Sequence, residues 1–474
     1  MFDFLKPKKN TGNPIYLYNT LTRQKDLFKP IKDGKVGMYT CGPTVYGYPH
    51  LGNLRTPIFE DILKRVLSYN GYTINHVMNI TDVGHLTNDR DMGDDKVEKE
   101  AQKEGKSAWE IADFYTKAFF DDEKYLNIIK PNIVCKATDN IPEQIKMIQT
   151  LEKKGFTYKT SDGIYFDTSK VSDYVKLSGQ NLEQLKEGAR VEVNEEKRNH
   201  TDFALWKFSK KDEGRQMEWP SPYGVGFPGW HLECSAMSIK YLGEQFDIHC
   251  GGIDLVNIHH TNEIAQSESA TGKKPWVKYW IHGGFLNLDG GRKMSKSSGD
   301  VFRLKNIFIN NGINPLAFRF LTLGTHYKKP MDWSDSSVAS AKNGYENLLS
   351  KISNLGNIIG KINNEWKAKF VSAINDDLNM PQAMAVLNEM LKSDILPADK
   401  LATALDFDKV LGLKLNEAIQ KKIEIPASVM VLVDERETAR KVQNWAKSDE
   451  LRDKIKELGY EVKDTPSGQE IKKI

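Results

Sequence analysis

The fold is decided by the stretch from Val36 to Asn53, which reads VGMYTCGPTVYGYPHLGN. Its first part, Val36–Cys41, is short, apolar and bounded by glycine and proline, which is typical of a buried strand. Gly42-Pro43-Thr44 ends the strand, and a segment with helical periodicity opens at Pro49. The apolar positions of that segment are Leu54, Ile58, Ile62, Leu63, Val66 and Leu67. The stretch therefore predicts a strand, a tight turn and a helix of an α/β sheet.

The turn has the features of an anion site. The first amides of a helix have no partners within the helix, so they can bind phosphate oxygens. Gly52 lets a nucleotide approach the backbone closely, and His50 can donate to a phosphate oxygen. For His50 taken alone, an ordinary capping histidine is the favoured interpretation.

A second phosphate-type element lies about 240 residues downstream, where Gly290–Gly299 reads GGRKMSKSSG. The ammonium groups of Lys293 and Lys296 can neutralise the charge that builds on a leaving pyrophosphate, and the hydroxyl and amide groups can hold its oxygens. A solvated basic turn is the alternative for this element taken alone.

The chain has four cysteines, which are Cys41, Cys135, Cys234 and Cys250. The N-terminus has no apolar signal core, so we expect a reducing cytoplasm and no disulfide framework. Cys135 and Cys250 are interpreted as small buried hydrophobic residues. Cys41 differs, because it ends the predicted strand immediately before the phosphate turn, where active-site residues of open α/β sheets gather.

Candidate zinc ligands come from three separate segments. Cys41 and Cys234 offer thiolates, and His259 and Glu263 share one face of a helix at the i and i+4 positions. Together they would make one tetrahedral site. The spacing alone leaves open a plain surface pair for His259 and Glu263.

The whole set of motifs resembles the cysteinyl-tRNA synthetases, a family of class I aminoacyl-tRNA synthetases, from about Ile15 to about Gly468. Asn53 stands where many class I enzymes have a second histidine. The matching segments are Cys41–Tyr46, His50–Asn53, Asn79–Asp82, Pro228–Met237, His259–Gln266 and Lys293–Ser297.

The resemblance implies a ligase that activates cysteine with ATP and transfers it to the 3′ end of tRNA(Cys). It implies one Zn²⁺ per chain on Cys41, Cys234, His259 and Glu263, and Mg²⁺ with ATP. By the same resemblance, the expected catalytic positions are His50, Asn53, Lys293 and Lys296. The expected ATP-binding positions are Thr44, His50, Gly52, Asn53, Gly252, Asp254 and Lys296. The positions expected around the substrate cysteine are Gly42, Thr81, Trp230 and His249.

Zinc would serve as a selector of the substrate thiol. Cysteine and serine differ by one atom, and shape separates near-isosteres only by roughly 10–200-fold. A soft thiolate binds zinc better than a neutral hydroxyl does, and the metal lowers the thiol pKa. A purely structural zinc is the alternative.

The resemblance also implies a Rossmann-type catalytic domain with an inserted connective domain, followed by an all-α helical bundle and a small anticodon-recognition region. The helical pattern beyond Trp333 repeats through Val338, Ala341, Tyr345, Leu348, Ile352, Leu355 and Ile359. The predicted segments are 15–135, 136–227, 228–311 with the lysine loop extending to about 333, 334–422 and 424–474.

The composition fits a soluble globular protein, with 39% hydrophobic and 28% charged residues and a net charge of only +3. No apolar run approaches the ~20 residues that span a membrane. The acidic stretch Asp89–Asp95 is interpreted as a solvated loop.

The family uses the C-terminal tail to read the anticodon, and the candidate residues here are Arg440, Trp445, Arg452 and Asp464. Basic and acidic residues nearly balance there, so the bases would be stacked and read on their edges. The tryptophan that many family members carry after the Asp-Thr-Pro-x-Gly segment is absent.

Two other functions compete with the ligase. A cysteine ligase of the mycothiol pathway resembles the same catalytic core but joins cysteine to an amino sugar; it lacks the tail, so the segment from Arg440 to Gly468 argues against it. A catalytically inactive RNA-binding paralogue is the other, and the intact motifs argue against it. Several family members are monomers, and we expect a monomer here.

Overall fold

The computed structural model describes residues 13–86, 93–180, 195–210, 214–288, 292–293, 302–420, 426–465 and 468–473. Its strands, in chain order, are β1 (Tyr16–Asn19), β2 (Gln24–Leu27), β3 (Lys35–Thr40), β4 (Thr73–Ile80), β5 (Ile133–Lys136), β6 (Thr157–Lys159), β7 (Gly163–Phe166), β8 (Phe203–Phe208), β9 (Gly226–Pro228), β10 (Phe246–Gly252), β11 (Val277–Gly283), β12 (Leu286–Leu288), β13 (Arg292–Lys293), β14 (Met331–Trp333), β15 (Tyr460–Thr465) and β16 (Gly468–Lys473).

The α-helices of the same residues are α1 (Leu51–Tyr69), α2 (Lys96–Glu104), α3 (Ala108–Tyr125), α4 (Ile141–Lys153), α5 (Trp230–Leu242), α6 (Thr261–Thr271), α7 (Leu304–Ile307), α8 (Leu316–Leu323), α9 (Asp335–Ser353), α10 (Asn364–Asn375), α11 (Met380–Lys392), α12 (Pro397–Leu411), α13 (Asn416–Gln420), α14 (Ala427–Lys441) and α15 (Trp445–Glu457). Within the described residues, no helix is both long and apolar enough to cross a lipid bilayer.

The centre of the molecule is a five-stranded parallel sheet in the order β11-β10-β3-β4-β5. The chain builds β3, β4 and β5 in one direction and then returns to add β10 and β11 on the other side of β3. The strand order therefore reverses between β3 and β10, and ligands of open α/β sheets bind at the carboxyl ends of the strands at such a point. The predicted Rossmann-type α/β class is confirmed.

The residues between β5 and β10 form a second, antiparallel sheet in the order β6-β7-β8-β9, with α4 before it and α5 after it. Its hydrophobic side chains make a core of their own around Phe166, Phe203 and Trp206. This is an insertion into the parallel sheet, as expected, although the predicted limits at 136 and 227 stay a prediction.

Helix α1 begins where the sequence predicts it. His50 caps its N-terminus, and the apolar positions from Leu54 to Leu67 are buried against the sheet and the helical bundle. Helix α9 likewise buries Val338, Tyr345 and Ile352, but it ends at Ser353. Ile359 lies beyond that end and is exposed, so the predicted apolar face stops short of it.

Buried charges join the bundle to the sheet. Asp61 of α1 lies 2.7 Å from Arg65 and 2.6 Å from Arg319 of α8. Arg319 also donates to the carbonyl of Leu411 at the end of α12, at 2.7 Å. The Asp61 carboxylate on α1 thus binds an arginine of the bundle, and that arginine also bonds to the bundle backbone. These charge-assisted bonds join α1 and the bundle into a single packed unit.

Candidate active site

A cleft of about 450 Å³ lies at the carboxyl ends of β3 and β10, at the point where the strand order reverses. Its volume is typical of a small-ligand site. Most of the predicted site residues meet on its walls, namely Cys41, Gly42, Thr44, His50, Gly52, Asn53, Thr81, Trp230, Cys234, Gly252, Asp254 and His259. Residues far apart in the chain are thus neighbours around one cavity.

The phosphate turn is closed by a reciprocal cap between His50 and Asn53. The amide of Asn53 donates to His50 Nδ1, and the amide of His50 donates to Asn53 Oδ1, both at 3.2 Å. The capping role weighed for His50 is therefore present. It uses Nδ1, whereas a contact with phosphate would use Nε2, so the two roles are compatible.

The four predicted metal ligands converge. The ligand atoms of Cys41, Cys234, His259 and Glu263 all lie within 4.8 Å of one another. The two sulfurs are 3.9 Å apart, and His259 Nε2 is 2.9 Å from Glu263 Oε1. His259 lies in a π-helical turn, Val256–His260, and Glu263 follows in α6, which places both side chains on one face as predicted.

Electrostatics hold two of the four ligands, Cys234 and Glu263, in the ionised form that binds a metal. Burial opposes ionisation of Cys234, but the hydrogen bond from Cys41 and the charge of His259 lower its pKa to about 6. Burial also opposes ionisation of Glu263, yet the charges of His249 and His259 lower its pKa to about 2. Burial raises the pKa of Cys41 well above its usual value. Burial and the neighbouring Cys234 thus oppose ionisation of the second thiol.

The donor set fits zinc. Two sulfurs, one imidazole nitrogen and one carboxylate oxygen are the ligand types that tetrahedral zinc accepts. Glu263 Oε1 is buried and faces the cluster, 2.9 Å from His259 Nε2, so its lone pairs and those of the imidazole are directed at the same point. The residues present are therefore compatible with one bound metal ion.

A layer of histidines surrounds these ligands. His249 Nε2 bonds to Glu263 Oε2 at 2.9 Å, and His231 Nδ1 lies 3.0 Å from His259 Nδ1. The structure places His249 against a ligand and stacked on Trp280, away from the cleft walls where the substrate position was expected. Hydrogen-bond partners of this kind orient the metal-binding side chains and fix the tautomers of the histidines.

His260 and His282 were not predicted. His260 Nε2 lies 3.3 Å from Cys41 Sγ, and its Nδ1 lies 2.7 Å from His282 Nε2. Burial lowers the pKa of His282 to about 3, so it is neutral at physiological pH. His260 could have been predicted, because it adjoins the candidate ligand His259 in the sequence. His282 lies far along the chain in β11 and comes close only when that strand pairs with β10.

The pocket next to the cluster is built by Gly42, Thr81 and Trp230. The amide of Gly42 donates to Asn79 Oδ1 at 3.0 Å, and Asn79 Nδ2 donates to Thr81 Oγ1 at 3.0 Å. A Cβ on Gly42 would lie 1.7 Å from the carbonyl oxygen of Asn79, so only glycine fits. The ring of Trp230 lies 4.2 Å from that of His259 and closes the pocket beside the metal ligands.

The acidic stretch Asp89–Asp95 is not all solvated. Residues 89–92 lie outside the described residues, and Asp94 is exposed. Asp95, however, is buried; its carboxylate caps α2 and accepts from the amide of Gly84 at 2.8 Å and from Arg215 at 2.6 Å. The prediction of a solvated loop was wrong at Asp95, because a distant arginine and a helix N-terminus neutralise it.

The lysine motif is described only in part. Backbone pairing sets Lys293 of β13 opposite Asn287 of β12. Lys296 lies outside the described residues. The roles expected for both lysines stay predictions.

The C-terminal region packs α14 and α15 against the hairpin of β15 and β16. Asp464 accepts a bidentate bond from the buried Arg436, at 2.9 and 3.0 Å, and Arg440 lies 3.2 Å from it. Arg436 was not predicted. These bonds lower the pKa of Asp464 and attach the β15–β16 hairpin to α14.

Two other predicted anticodon residues are exposed. Trp445 is about half exposed, with the Arg440 guanidinium 5.4 Å from its ring centre. Arg452 forms an exposed pair with Asp449 at 3.2 Å. An open aromatic face beside arginines is compatible with base stacking.

Comparison with known families accounts for most of the chain. The model of the tRNA synthetases class I (C) catalytic domain matches residues 27–343. The model of the cysteinyl-tRNA ligase anticodon binding domain matches residues 423–471.

Curated relatives match over nearly their full length. Cysteine–tRNA ligase 1 of Burkholderia lata is 48% identical over 458 residues, which cover 97% of each chain. The cysteine–tRNA ligase of Treponema denticola is 46% identical over 494 residues, covering 97% of this chain and 100% of that protein.

Solved structures at low identity share the fold. The LeuRS–tRNA–LeuAMS complex of Agrobacterium radiobacter K84 aligns with a TM-score of 0.56 at 12% identity, over 83% of this chain and 85% of that one. Methionyl-tRNA synthetase of Mycobacterium tuberculosis, in complex with methionyl-adenylate, aligns with a TM-score of 0.54 at 14% identity, over 84% and 93%. By the match of its catalytic segment and of its nearly full-length relatives, the chain belongs to the cysteine–tRNA ligase family of class I synthetases.

Proposed function

We propose that this protein is a cysteine–tRNA ligase, which activates cysteine with ATP and transfers the cysteinyl group to the 3′ end of tRNA(Cys). One observation carries the proposal: two sites share a single cleft. One is a cluster of two sulfurs, one imidazole and one carboxylate, and the other is the N-terminus of α1 with the preceding turn, which is suited to bind phosphate. A thiol-selecting site beside a nucleotide site is what cysteine activation requires.

Cys41, Cys234, His259 and Glu263 would hold Zn²⁺. When bound, the metal supplies a soft Lewis acid that prefers a thiolate to a hydroxyl. The chain's own part is to keep Cys234 and Glu263 ionised and to orient His259 through His231. Gly42 packs its backbone against Asn79 at the edge of the substrate pocket, and Trp230 closes that pocket beside His259.

The nucleotide would lie along the turn after β3 and across to β10. The amides at the start of α1 face the cleft at Gly52 and Asn53, and Asp254 is exposed just after β10, where a carboxylate can bind ribose hydroxyls. The substrate carboxylate is itself the nucleophile, so the residues of the cleft act by position and charge, with Mg²⁺ on the phosphates.

The acceptor is tRNA on this proposal, because the chain has the anticodon-type region at 423–471 that the amino-sugar ligase lacks. Arg440, Trp445 and Arg452 are the surface residues proposed to meet the anticodon. We also propose that the protein works as a monomer in the cytoplasm.

The test is cysteine-dependent ATP–pyrophosphate exchange on zinc-loaded protein, with serine as the competing substrate. We expect exchange with cysteine only. Cys234→Ser should abolish it, whereas Cys135→Ser, a buried cysteine outside the cluster, should keep it. Absence of exchange from folded, zinc-loaded protein would refute the proposal and favour the inactive paralogue.

The acceptor is tested separately. Cysteinylation of tRNA(Cys) is expected, and cysteine transfer to an amino sugar is not. Transfer to the sugar alone would replace the tRNA ligase by the amino-sugar ligase while leaving the activation step intact.

A further inference from the structure

A lysine outside all the predicted motifs lies on the wall of the cleft. Lys96 is the first residue of α2, and its Nζ is 2.7 Å from Nε2 of His85. Nδ1 of His85 is in turn 2.6 Å from Oγ1 of Thr44, which belongs to the phosphate turn. A chain of three polar side chains therefore runs from the turn to an ammonium group in the same cavity.

The histidine in the middle of this chain is held in one orientation. Its ring stacks on Trp230 with centres 4.0 Å apart and planes 9° apart. An ammonium can only donate, so Nε2 of His85 accepts from Lys96 and Nδ1 carries the proton that is donated to Thr44. The packing and the hydrogen bonds thus select one tautomer of His85.

The backbone that carries Lys96 is fixed as well. Its amide donates to the carbonyl of His85 at 3.1 Å, and the preceding Asp95 is the buried carboxylate that binds Gly84 and Arg215. The guanidinium of Arg215 lies 3.5 Å from the ring centre of Phe227, which ties the segment to β9.

Lys99, one turn further along α2, provides the contrast. It is 61% exposed and pairs loosely with Asp94 at 3.4 Å. Lys96 is therefore placed by the tertiary structure, whereas Lys99 is an ordinary surface lysine.

We infer, on the basis of the proposed function, that Lys96 is a catalytic residue of cysteine activation that contacts the β- and γ-phosphates of ATP, and that His85 is its positioning residue. In this step a carboxylate oxygen of cysteine bonds to the α-phosphorus. The bond from that phosphorus to the oxygen bridging to the β-phosphate breaks, and pyrophosphate leaves with the electron pair. The Lys96 ammonium neutralises the charge that develops on the leaving group.

The position of the triphosphate follows from Thr44. The turn that holds Thr44 joins β3 to the N-terminus of α1, where amides offer an anion site. Lys96 reaches the cleft from the side of Thr44, so the anion it meets is the phosphate chain.

The variants are Lys96→Met, which keeps the aliphatic stem, Lys96→Arg, and Lys99→Met as the matched control on the same helix. In ATP–pyrophosphate exchange we expect Lys96→Met to lower kcat by about 10²–10³-fold, the loss typical of one preorganised donor, and to raise the KM for pyrophosphate. Lys96→Arg should recover part of the rate, and Lys99→Met should match the wild type.

A binding measurement makes the inference independent of turnover. By calorimetry, Lys96→Met should bind ATP and inorganic pyrophosphate more weakly than Lys99→Met does. It should bind cysteinyl-sulfamoyl adenosine, which lacks the β- and γ-phosphates, as tightly as the wild type. If Lys96→Met weakened the binding of cysteinyl-sulfamoyl adenosine as much as that of ATP, Lys96 would lie at the cysteine or the α-phosphate and the inference would be overturned. Unchanged binding of ATP and pyrophosphate would overturn it as well.

Failure of the proposed function is a different result. It is reported by the wild type: no exchange from folded, zinc-loaded protein refutes the ligase, while the comparison of ATP and pyrophosphate binding between the two lysine variants still decides the role of Lys96.

The positioning role of His85 is tested by a double-mutant cycle. His85→Phe keeps a ring to stack on Trp230 but removes both hydrogen bonds. We expect it to lower kcat by up to about 10²-fold, because Lys96 is no longer held in place, and to have little further effect in the Lys96→Met background. Additive effects of the two substitutions would show that His85 does not act through Lys96.

Discussion

The substitution Gly42→Ala tests how closely the pocket is built. The new Cβ would lie 1.7 Å from the carbonyl oxygen of Asn79, whereas Cβ atoms in proteins essentially never approach another heavy atom within 3.0 Å. The turn after β3 and the end of β4 must therefore separate by about 1.3 Å, the difference between the two distances, since the obstacle is backbone and cannot rotate away. That movement also breaks the bond from the Gly42 amide to Asn79 Oδ1.

The expected loss follows from that shift. A misplacement of about 1 Å at a reacting centre costs about 10²-fold in rate, equivalent to about 2.7 kcal/mol of transition-state stabilisation. We expect kcat/KM for cysteine to fall by at least this factor, and the free energy of unfolding to fall by about 1–3 kcal/mol from overpacking.

The assay is steady-state ATP–pyrophosphate exchange with varied cysteine, together with thermal unfolding of both variants. The matched control is Gly37→Ala on strand β3, just before this turn, where a Cβ would meet its nearest neighbour, Phe246 Cβ, at an ordinary 3.4 Å. If Gly42→Ala behaves like Gly37→Ala in both measurements, the reasoning from backbone contact is refuted.

Three further outcomes are expected. Uptake of Zn²⁺ near pH 7 should release about two protons, one from Cys41 and one from His259. Burial raises the pKa of Cys41, and the charges of Glu263 and Cys234 outweigh burial and raise the pKa of His259 to about 10, so both side chains carry a proton before the metal binds. Calorimetry in buffers of different ionisation enthalpy measures the number of protons, and no release would contradict the prediction. Burial raises the pKa of Glu123 to about 8, so the folded state keeps a proton that the unfolded state loses above about pH 4.5. Between pH 4.5 and 8 the free energy of unfolding of the wild type should therefore fall by at least about 1 kcal/mol relative to that of Glu123→Gln. An equal pH dependence of the two unfolding free energies, measured by denaturation, would argue against this. Arg436→Met should lower tRNA cysteinylation but leave ATP–pyrophosphate exchange unchanged, because it releases the hairpin and not the cleft; equal loss of both activities would show a wider structural role.

Much of the fold is readable from local patterns. The strand before Cys41, the helix from Leu51 and the helical region after Trp333 follow from apolar periodicity, because a period of two or 3.6 residues reports which face is buried. The break between α10 and α11 follows from the Asn379 cap and Pro381. These features need no knowledge of distant residues.

The candidate site was predictable only as a set of residue types. Thiols, imidazole and carboxylate could be named as ligands, but Cys41 and Cys234 are separated by 193 positions and come within 3.9 Å only through β3 and α5. The interpretation of Asp95 as solvated failed for the same reason: its neutralising partner, Arg215, is 120 positions away.

Residue types and local patterns suffice to name the chemistry that this chain offers: a turn that can bind phosphate, a basic loop that can meet pyrophosphate, and donors suited to a soft metal. Packing of distant segments was needed to show which donors share one site, that His260 and His282 lie behind Cys41, and that Lys96 lies on the cleft wall bonded to His85. Short-range patterns fix the burial and conformation of each segment, whereas the distances between segments are set by how the sheet, the insertion and the bundle pack together.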